Sequence, residues 1–478
     1  MNRGGGPAGG GGTAKAKLVV ASNRGPFALE ERGDGSFGVR PGGGGLAPSL
    51  AAALEGRDDA VWVAAPLTAT DRMAAERAGG MVEAGGDGLR LQLVHVGEQV
   101  LSSAYDVIAN STLWFCFHGL FDASRRPLFD RRFYAAWDDF RLYNEAFANA
   151  VAEVAAPGAV VLVNDYHLAL AGTTLAEARP DLLSVHFSHT PFPGPEELAI
   201  LPPAVRSELL GAMAGFGACG FHTARWESAF VRCCEQLGGK VPATFHAGLG
   251  ADLSRLAEVA SSPGCERRRI EIADRIGDRK LIVRSDRIEL SKNLLRGFLA
   301  FDLLLEEHPC WRESVVMLAR AYPSRQGLPE YLAYRAEVEH MAALLNERWA
   351  TRGWAPVELD VDDDFASTVA ALERYEVLLV NPIRDGMNLV AREGPALNER
   401  DGVLVLSTMA GAFEDLGGLS IGVHPFDVAA TSEALHQALE MPHEERARRS
   451  SELKRRAGHL APAAWLEHVL SEARSPQD

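Results

Sequence analysis

Two basic residues five positions apart are the clearest candidates in this chain for stabilising a developing negative charge. Arg287 and Lys292 follow the apolar run Leu281–Val283 in the segment Arg-Ile-Glu-Leu-Ser-Lys. A strand-to-helix turn would bring the two cations together, which suits a diphosphate that gains charge as it leaves. Only six of the 48 basic residues are lysines, so a lysine at position 292 indicates a need for a compact ammonium. An exposed charge pair is the alternative interpretation.

The segment Asn381–Glu393 is the second candidate. A Pro/Gly turn leads from the apolar run Val377–Val380 into a predicted helix, and the free N–H groups of Gly386–Leu389 would then bind an anion. Asp385 cannot favour a phosphate, so we interpret it as an acceptor for neutral sugar hydroxyls. Glu393 lies roughly 10 Å further along at 1.5 Å per residue, which suits a ribose diol. An N-cap and a solvated helix charge are the alternatives for these two carboxylates.

Polar residues also follow other apolar runs. Ligands of an open α/β sheet bind beyond the carboxyl ends of its strands, so these residues predict a binding edge. Turn and capping residues account for the aspartates, but less well for four arginines and two histidines together. The segments are Ser22-Asn23-Arg24, Asn164-Asp165-Tyr166-His167, Ser188-His189-Thr190-Pro191, Asp286-Arg287, Tyr322-Pro323-Ser324-Arg325 and Arg384-Asp385-Gly386.

Two weaker signals lie in the first half of the chain. Tyr105 and Trp114 flank Asn110 and suit stacking on a sugar ring, although core packing is the more frequent explanation for an isolated aromatic residue. The glycine-rich stretch from Arg40 to Leu46 would allow close approach of the backbone to a ligand, with a flexible linker as the alternative. It has no Walker lysine and no G-x-G-x-x-G spacing, which disfavours a dinucleotide oxidoreductase.

The elements that must position these residues follow an alternating pattern. Short runs that are apolar on both faces alternate with helix-length segments such as Leu294–Glu307 and Tyr331–Trp349, which is typical of buried parallel strands in an α/β fold. A length of 478 residues predicts two domains, and the pattern is interrupted at Gly248–Asp252. The predicted strands are Lys17–Ala21, Val160–Val163, Leu183–Phe187, Leu281–Val283, Val315–Ala319, Val377–Val380 and Val403–Leu406.

Composition excludes several classes of function. The chain is 47% hydrophobic and 23% charged, and its apolar runs are far shorter than the ~20 residues of a membrane span. A net charge of −16 disfavours nucleic acids and anionic membranes. The six cysteines show no metal-binding spacing and indicate free thiols in a reducing cytoplasm. We therefore expect a cytoplasmic protein without metal or cofactor, and residues 1–14 to form a disordered glycine-rich tail.

At these motifs the chain resembles the trehalose-6-phosphate synthases. The resemblance covers about Lys17 to Trp465, and the motifs occur in the order found in that family. They are SNRGP, GGGGL, ANSTLWFCFH, VNDYHL, FSHTPFP, RSDRIELSKN, AYPSR, NPIRDGMNLVAREG and LVLSTMAGAFEDL.

The resemblance implies a GT-B fold, in which two Rossmann-like, doubly wound α/β domains face a cleft. The N-terminal, acceptor-binding domain would span residues 15–248, and the nucleotide-sugar-binding domain residues 249–458. Residues 459–478 would carry a last helix, near Ala461–Arg474, that crosses back to the first domain.

The resemblance also implies the reaction and its residues. Glucose would pass with retention from a nucleotide diphosphate glucose, UDP- or GDP-glucose, to glucose 6-phosphate, forming α,α-trehalose 6-phosphate. The catalytic residues would be Arg287, Lys292, His189 and Asp385. The donor would contact Gly45, His189, Arg287, Lys292, Asp385, Gly386, Met387, Asn388, Leu389, Val390 and Glu393. The acceptor would contact Arg24, Tyr105, Trp114, Asp165 and Arg325, with Arg24 and Arg325 on its phosphate.

Three positions depart from the family pattern and leave alternatives open. Ala65 replaces the second tryptophan of W-x-G-W-S-G, Asn164 replaces a histidine, and Thr190 replaces an isoleucine. The alternatives are a glucosylglycerol-phosphate synthase, a pseudo-glycosyltransferase that joins cyclitols, and a non-catalytic regulatory homologue that binds ligand. The donor base stays open, and a homo-oligomer is compatible with the sequence.

Overall fold

Two sheets of mainly parallel strands organise the chain in the computed structural model, which describes residues 15–31, 37–41, 46–54, 56–77, 80–83, 89–459 and 461–475. Each apolar run predicted to be a strand is one. The strands are β1 (Ala16–Ser22), β2 (Phe27–Glu31), β3 (Phe37–Pro41), β4 (Ala60–Ala64), β5 (Met81–Glu83), β6 (Arg90–Leu93), β7 (Ala155–Asn164), β8 (Leu183–Ser188), β9 (Ala218–Phe221), β10 (Ala243–His246), β11 (Lys280–Ile288), β12 (Val315–Pro323), β13 (Val357–Asp360), β14 (Val377–Val380), β15 (Val403–Ser407) and β16 (Ile421–Val423).

Helices cover both faces of the sheets. The two predicted segments appear as α12 and α13. The helices are α1 (Leu46–Ala53), α2 (Ala69–Arg77), α3 (Glu98–Ser102), α4 (Trp114–His118), α5 (Arg131–Val154), α6 (Ala171–Ala178), α7 (Pro195–Leu198), α8 (Pro203–Met213), α9 (Ala224–Leu237), α10 (Leu253–Ala260), α11 (Pro263–Ile276), α12 (Leu294–Glu307), α13 (Pro329–Trp349), α14 (Phe365–Arg374), α15 (Val390–Leu397), α16 (Phe413–Leu416), α17 (Val428–Glu440), α18 (His443–Ala457) and α19 (Pro462–Arg474).

The first sheet has eight strands within the described residues, in the order β10-β9-β8-β7-β1-β4-β6-β5. The pairs are parallel except β5 with β6, and β2 with β3 forms a separate antiparallel hairpin. Successive residues of the central strands point to opposite faces, and both faces are buried. Val19 and Val161 pack in one core, whereas Val20 and Leu162 pack in the other.

The second sheet, counted over the same ranges, has six parallel strands in the order β13-β12-β11-β14-β15-β16. This is the 3-2-1-4-5-6 order of a doubly wound nucleotide-binding fold. Its core includes Leu281 and Val283 of β11 and the apolar face of α12.

The C-terminal helix α19 packs against β7, β8 and β9 of the first sheet. Trp465 is fully buried there and its Nε1–H donates to the carbonyl of Ala247 at 3.3 Å. The N–H of Ala251 donates to the carbonyl of Ala457 at 3.0 Å. The predicted domain limits at 248–249 and 458–459 lie close to these residues and stay predictions. Among the helices of the described ranges, none is both long enough and apolar enough to span a bilayer.

Candidate functional site

The strand order reverses at one point in each sheet, and the predicted site residues follow the strands at these two points. In the second sheet the reversal lies between β11, which carries Arg287, and β14, which precedes Asp385. In the first sheet it lies between β1, which precedes Arg24, and β7, which precedes Asp165. Parallel strands leave a crevice at such a point, and ligands bind there.

Lys292 and Asp385 form a buried ion pair at the second reversal point. Lys292 Nζ lies 2.6 Å from Asp385 Oδ2, and the side chains are 14% and 16% exposed. Burial acts to lower the pKa of Lys292, but the carboxylates of Asp385, Asp286 and Glu289 outweigh it, so the pKa is raised. Burial likewise opposes ionisation of Asp385, and Lys292 offsets this, so the pKa of Asp385 is lowered. Both groups are therefore charged at neutral pH.

Arg287 lies beside this pair. Its Nη1 is 3.0 Å from Glu289 Oε1, and its side chain is 43% exposed. Its charge acts on Lys292, Asp385 and, in the first domain, Asp165. Arg287 and Lys292 thus converge as predicted, and both belong to the lining of the cleft.

Arg325 lies among aromatic rings that come from both halves of the chain. Its guanidinium lies over Trp114 at 5.0 Å and over Tyr331 at 5.3 Å, and it also donates to the Tyr331 hydroxyl. Its Nη2 donates to Tyr166 Oη at 3.4 Å, and its Nη1 donates to Glu289 Oε1 at 3.2 Å. Since Trp114 and Tyr166 belong to the first domain, this arginine bridges the cleft.

Arg24 and Tyr105 complete this cluster on the side of the first domain. Tyr105 stacks on His167 at 5.8 Å, and the pKa of His167 is lowered to about 3 by burial and by the charges of Arg325 and Arg24. Residues Ser103–Leu113 form π-helical turns. With the wider i→i+5 turns, Tyr105 lies on the same side of the helix as Trp114. With 3.6 residues per turn, the two residues would be half a turn apart.

Asp165 and His189 occupy neighbouring strand ends of the first sheet. Asp165 has φ +66°, and its Oδ1 accepts from the His189 N–H at 2.9 Å. Burial raises the pKa of Asp165 to about 6. The His189 ring bonds to Asn164 Oδ1 at 2.9 Å and to His222 at 3.1 Å. Burial and the neighbouring His222 hold the pKa of His189 well below its ordinary value, so the ring is neutral.

The predicted helix start at Gly386 is wrong. The helix α15 begins at Val390, and Gly386–Leu389 form a loop. Asn388 has φ +73°, and its side chain donates to Asp385 Oδ2 at 3.1 Å and accepts from the Ala391 N–H at 3.3 Å. A left-handed residue at position 388 interrupts any continuous helix across this segment. Glu393 therefore lies in the first turn of α15, and the distance of roughly 10 Å from Gly386, which assumed a continuous helix, does not apply.

The segment Arg384–Leu389 contacts the first domain closely. Trp226 Nε1–H donates to the carbonyl of Gly386 at 3.0 Å, and Arg384 forms an ion pair with Glu197. A Cβ atom on Gly386 would lie 1.9 Å from the carbonyl oxygen of His189. Only glycine allows this approach, which places Asp385 and His189 on facing sides of one cleft.

Gly45 lies outside the described residues. Ala65 is buried and its N–H donates to the carbonyl of Asn23 at 3.2 Å, so this position contributes a backbone contact beside Arg24.

The family model of glycosyltransferase family 20 matches residues 16–475. The chain belongs to glycosyltransferase family 20. Its relatives include the bifunctional trehalose-6-phosphate synthase/phosphatase of Thermoproteus tenax, 31% identical over 94% of this chain. They also include the alpha,alpha-trehalose-phosphate synthase (UDP-forming) 1 of Arabidopsis thaliana, 30% identical over 96% of this chain. The chain spans 62% and 50% of the lengths of these relatives.

Solved structures resemble this family-20 chain over nearly its whole length. The trehalose-6-phosphate enzyme from E. coli bound with UDP-2-fluoro glucose is 26% identical, has a TM-score of 0.82, and covers 96% of this chain and 99% of its own. The Burkholderia xenovorans alpha,alpha-trehalose-phosphate synthase in complex with glucose-6-phosphate is 25% identical, with a TM-score of 0.82 and coverage of 96% and 100%. The predicted fold, two facing Rossmann-like domains of the GT-B type, is confirmed.

Three further residues of the family-20 cleft were not predicted from the sequence. Glu289 lies between Arg287 and Lys292 in the motif itself, but a carboxylate is unfavourable in an anion site and so gives no signal of a role there. His118 stacks on Trp114 at 4.3 Å, one helical turn further on, and the charge of Asp385 acts on it. His222 follows β9 directly and supports His189. Its position at a strand end was the available signal.

Alanine at Gly386 is expected to destabilise this family-20 chain, because its methyl group would overlap a backbone atom of the facing domain. Overpacking of this kind costs ~1–3 kcal/mol, so Tm should fall by about 2–10 °C. Thermal unfolding of Gly386→Ala measures this. Gly418→Ala is the matched control, because Gly418 is exposed and a Cβ atom there meets nothing within 4 Å. An equal Tm for the two variants would contradict the close approach.

Proposed function

We propose that this chain transfers glucose, with retention, from a nucleotide diphosphate glucose to glucose 6-phosphate, forming α,α-trehalose 6-phosphate. The observation that supports this most directly is the pair of basic centres in one cleft. Lys292 and Arg287 lie at the reversal point of the second sheet, and Arg325 lies among aromatic rings of the first domain. One centre suits a leaving diphosphate, and the other suits a phosphate carried on a sugar-sized group.

On the donor side, Lys292 and Arg287 would stabilise the charge that develops on the diphosphate as the glycosidic bond breaks. Asp385 holds Lys292 in place and would accept from glucose hydroxyls. His189 would contact the transferred glucose, with its ring fixed by Asn164 and His222. The loop Gly386–Leu389, Val390 and Glu393 would hold the remaining parts of the nucleotide.

On the acceptor side, Arg24 and Arg325 would bind the phosphate of glucose 6-phosphate. Both charges act to lower the pKa of His167, so both guanidinium groups lie near this ring. Tyr105 and Trp114 would flank the sugar, and Asp165 would accept from one of its hydroxyls.

We infer that the acceptor proton passes to the departing diphosphate on the same face of the sugar, so that no covalent glycosyl-enzyme forms. The carboxylate at the transfer point, Asp385, is committed to Lys292 at 2.6 Å, which supports this inference. Intact-protein mass spectrometry during turnover tests it, and a stable hexosyl adduct would refute it.

The proposed function is tested by incubating the chain with glucose 6-phosphate and UDP-, GDP- or ADP-glucose in turn. We expect a phosphorylated non-reducing disaccharide with at least one donor. Glycerol 3-phosphate and a cyclitol phosphate serve as alternative acceptors. A product with one of these and none with glucose 6-phosphate would replace the proposed acceptor.

The KM for the donor should rise as the pH falls through 7. Burial raises the pKa of Glu393 to about 7, while Arg255 acts to lower it. The carboxylate that would accept from the ribose diol is therefore ionised above pH 7 and protonated below it. Its ionised fraction falls about tenfold between pH 8 and pH 6, which sets the expected rise in KM. Steady-state kinetics over this range measures the effect. Glu393→Gln should show a flat profile, and an unchanged slope would assign the titration to another group.

We also propose a cytoplasmic location. All six cysteines are free thiols, five of them buried and Cys310 exposed, and secreted proteins tend to pair such residues.

A further inference from the structure

Glu289 carries a buried negative charge between two arginines proposed to bind two different phosphates. Its side chain is 2% exposed. Oε1 lies 3.0 Å from Arg287 Nη1 and accepts from Arg325 Nη1 at 3.2 Å and from Ser324 Oγ at 2.9 Å. Burial opposes its ionisation, but Arg287, Arg325 and Lys292 lower its pKa to about 2, so it is charged at every working pH.

The register of the second sheet accounts for this position. β11 and β12 pair in parallel through Arg287 with Tyr322 and Ile288 with Pro323. The next residues, Glu289 and Ser324, therefore leave the sheet side by side, and Arg325 follows with φ +44°. One carboxylate thus reaches the arginine of its own strand and the arginine of the neighbouring strand.

A carboxylate is unfavourable for anion affinity at this place. Its charge repels any phosphate that binds Arg287 or Arg325, so a neutral residue at this position would give a higher affinity for phosphate. The geometry of transfer is a different requirement, because a misplacement of about 1 Å can cost about 10²-fold in rate. A single acceptor oxygen shared by two planar guanidinium groups restricts the orientation of both.

We propose that Glu289 is a positioning residue that fixes Arg287 and Arg325 relative to each other, so that the donor diphosphate and the acceptor phosphate are held in one geometry. This inference rests on the proposed function. A purely electrostatic role would change the affinity for the phosphates. A purely structural role would stabilise the fold without setting the position of one substrate relative to the other.

The test is Glu289→Gln in the full-length chain, with kcat measured for transfer and pyrophosphate binding measured by calorimetry. Glutamine keeps the shape and removes the charge. We expect kcat to fall by about 30- to 100-fold, while the Kd for pyrophosphate stays the same or falls. A plain structural defect would instead weaken pyrophosphate binding, so a Kd more than about threefold higher overturns the proposal. A kcat within about threefold of wild type also overturns it.

Two further variants make the test decisive. Glu339→Gln is the matched control, because Glu339 is exposed and pairs with Arg335 on the surface of α13, so its kcat should stay within about threefold of wild type. Glu289→Asp keeps the charge and shortens the reach. If Glu289→Gln does not fold, Glu289→Asp should lower kcat about tenfold or more with unchanged pyrophosphate binding, and full activity would overturn the proposal. If the wild-type chain makes no phosphorylated disaccharide, the proposed function fails, whereas pyrophosphate binding still tests the role of Glu289.

Discussion

Replacing Lys292 with alanine is expected to lower kcat by about 10²–10³-fold. The ammonium is 14% exposed and lies 2.6 Å from Asp385, so it acts where water screens little. Its loss removes one of the two cations that face the leaving diphosphate, and a preorganised charge of this kind contributes about 3–4 kcal/mol. The variant also leaves Asp385 without its partner, so Tm should fall as well. Steady-state kinetics at saturating substrate measures kcat.

Two substitutions sharpen the result for Lys292. Lys240→Ala removes an exposed lysine and should leave kcat unchanged. Lys292→Arg keeps the charge but spreads it over a larger planar group, so we expect it to recover only part of the loss. Turnover by Lys292→Ala close to that of wild type would exclude the diphosphate-stabilising role.

Replacing Arg325 with alanine is expected to lower kcat/KM for glucose 6-phosphate by about 10²-fold, mainly through KM. Each charge-assisted hydrogen bond to a phosphate is worth about 1.5–3 kcal/mol, and the side chain is 11% exposed. Unphosphorylated glucose makes no such contact. Its low activity as an acceptor should therefore change little, and the preference for the phosphorylated sugar should largely disappear. Initial rates with both acceptors at a fixed donor concentration measure this.

The matched control for Arg325 is Arg335→Ala. Arg335 pairs with Glu339 at 2.8 Å on the surface of α13, where an ion pair contributes little. If the KM for glucose 6-phosphate is unchanged in Arg325→Ala, the acceptor phosphate must bind to other residues of the cleft.

Residues at strand ends were predictable because the rule that governs them is local. An apolar run of strand length followed by polar residues marks a carboxyl end, and parallel strands collect these ends at one edge. The rule predicts the strand-end positions of Arg287, Lys292, Asp165 and Asp385. The rule does not predict the order of strands in each sheet. That order places the strand before Arg24 next to the strand before Asp165, and the strand of Arg287 next to the strand before Asp385.

Features that depend on contacts between distant segments were not predictable. The start of α15 was misplaced because Asn388 adopts a left-handed conformation and bonds to Asp385, and no periodicity in the sequence encodes this. The contacts of Glu289 with Ser324 and Arg325 were not predictable, because these two residues follow another strand. The shared face of Tyr105 and Trp114 depends on π-helical turns that a 3.6-residue period does not anticipate.

The hydrogen bond between Ala251 and Ala457 has a consequence for how the cleft can open. The polypeptide passes from one half of the molecule to the other near Ala251 and returns near Ala457, and the two passages lie side by side. Two neighbouring chain crossings would act as a pivot. The displacement of a residue during opening would then grow with its distance from these crossings. Trp465 lies at this pivot, and its ring is 5.6 Å from that of His189. We therefore expect His189 to move least among the cleft residues in such an opening, so that the orientation proposed for it toward a bound sugar would persist while the far rim of the cleft separates.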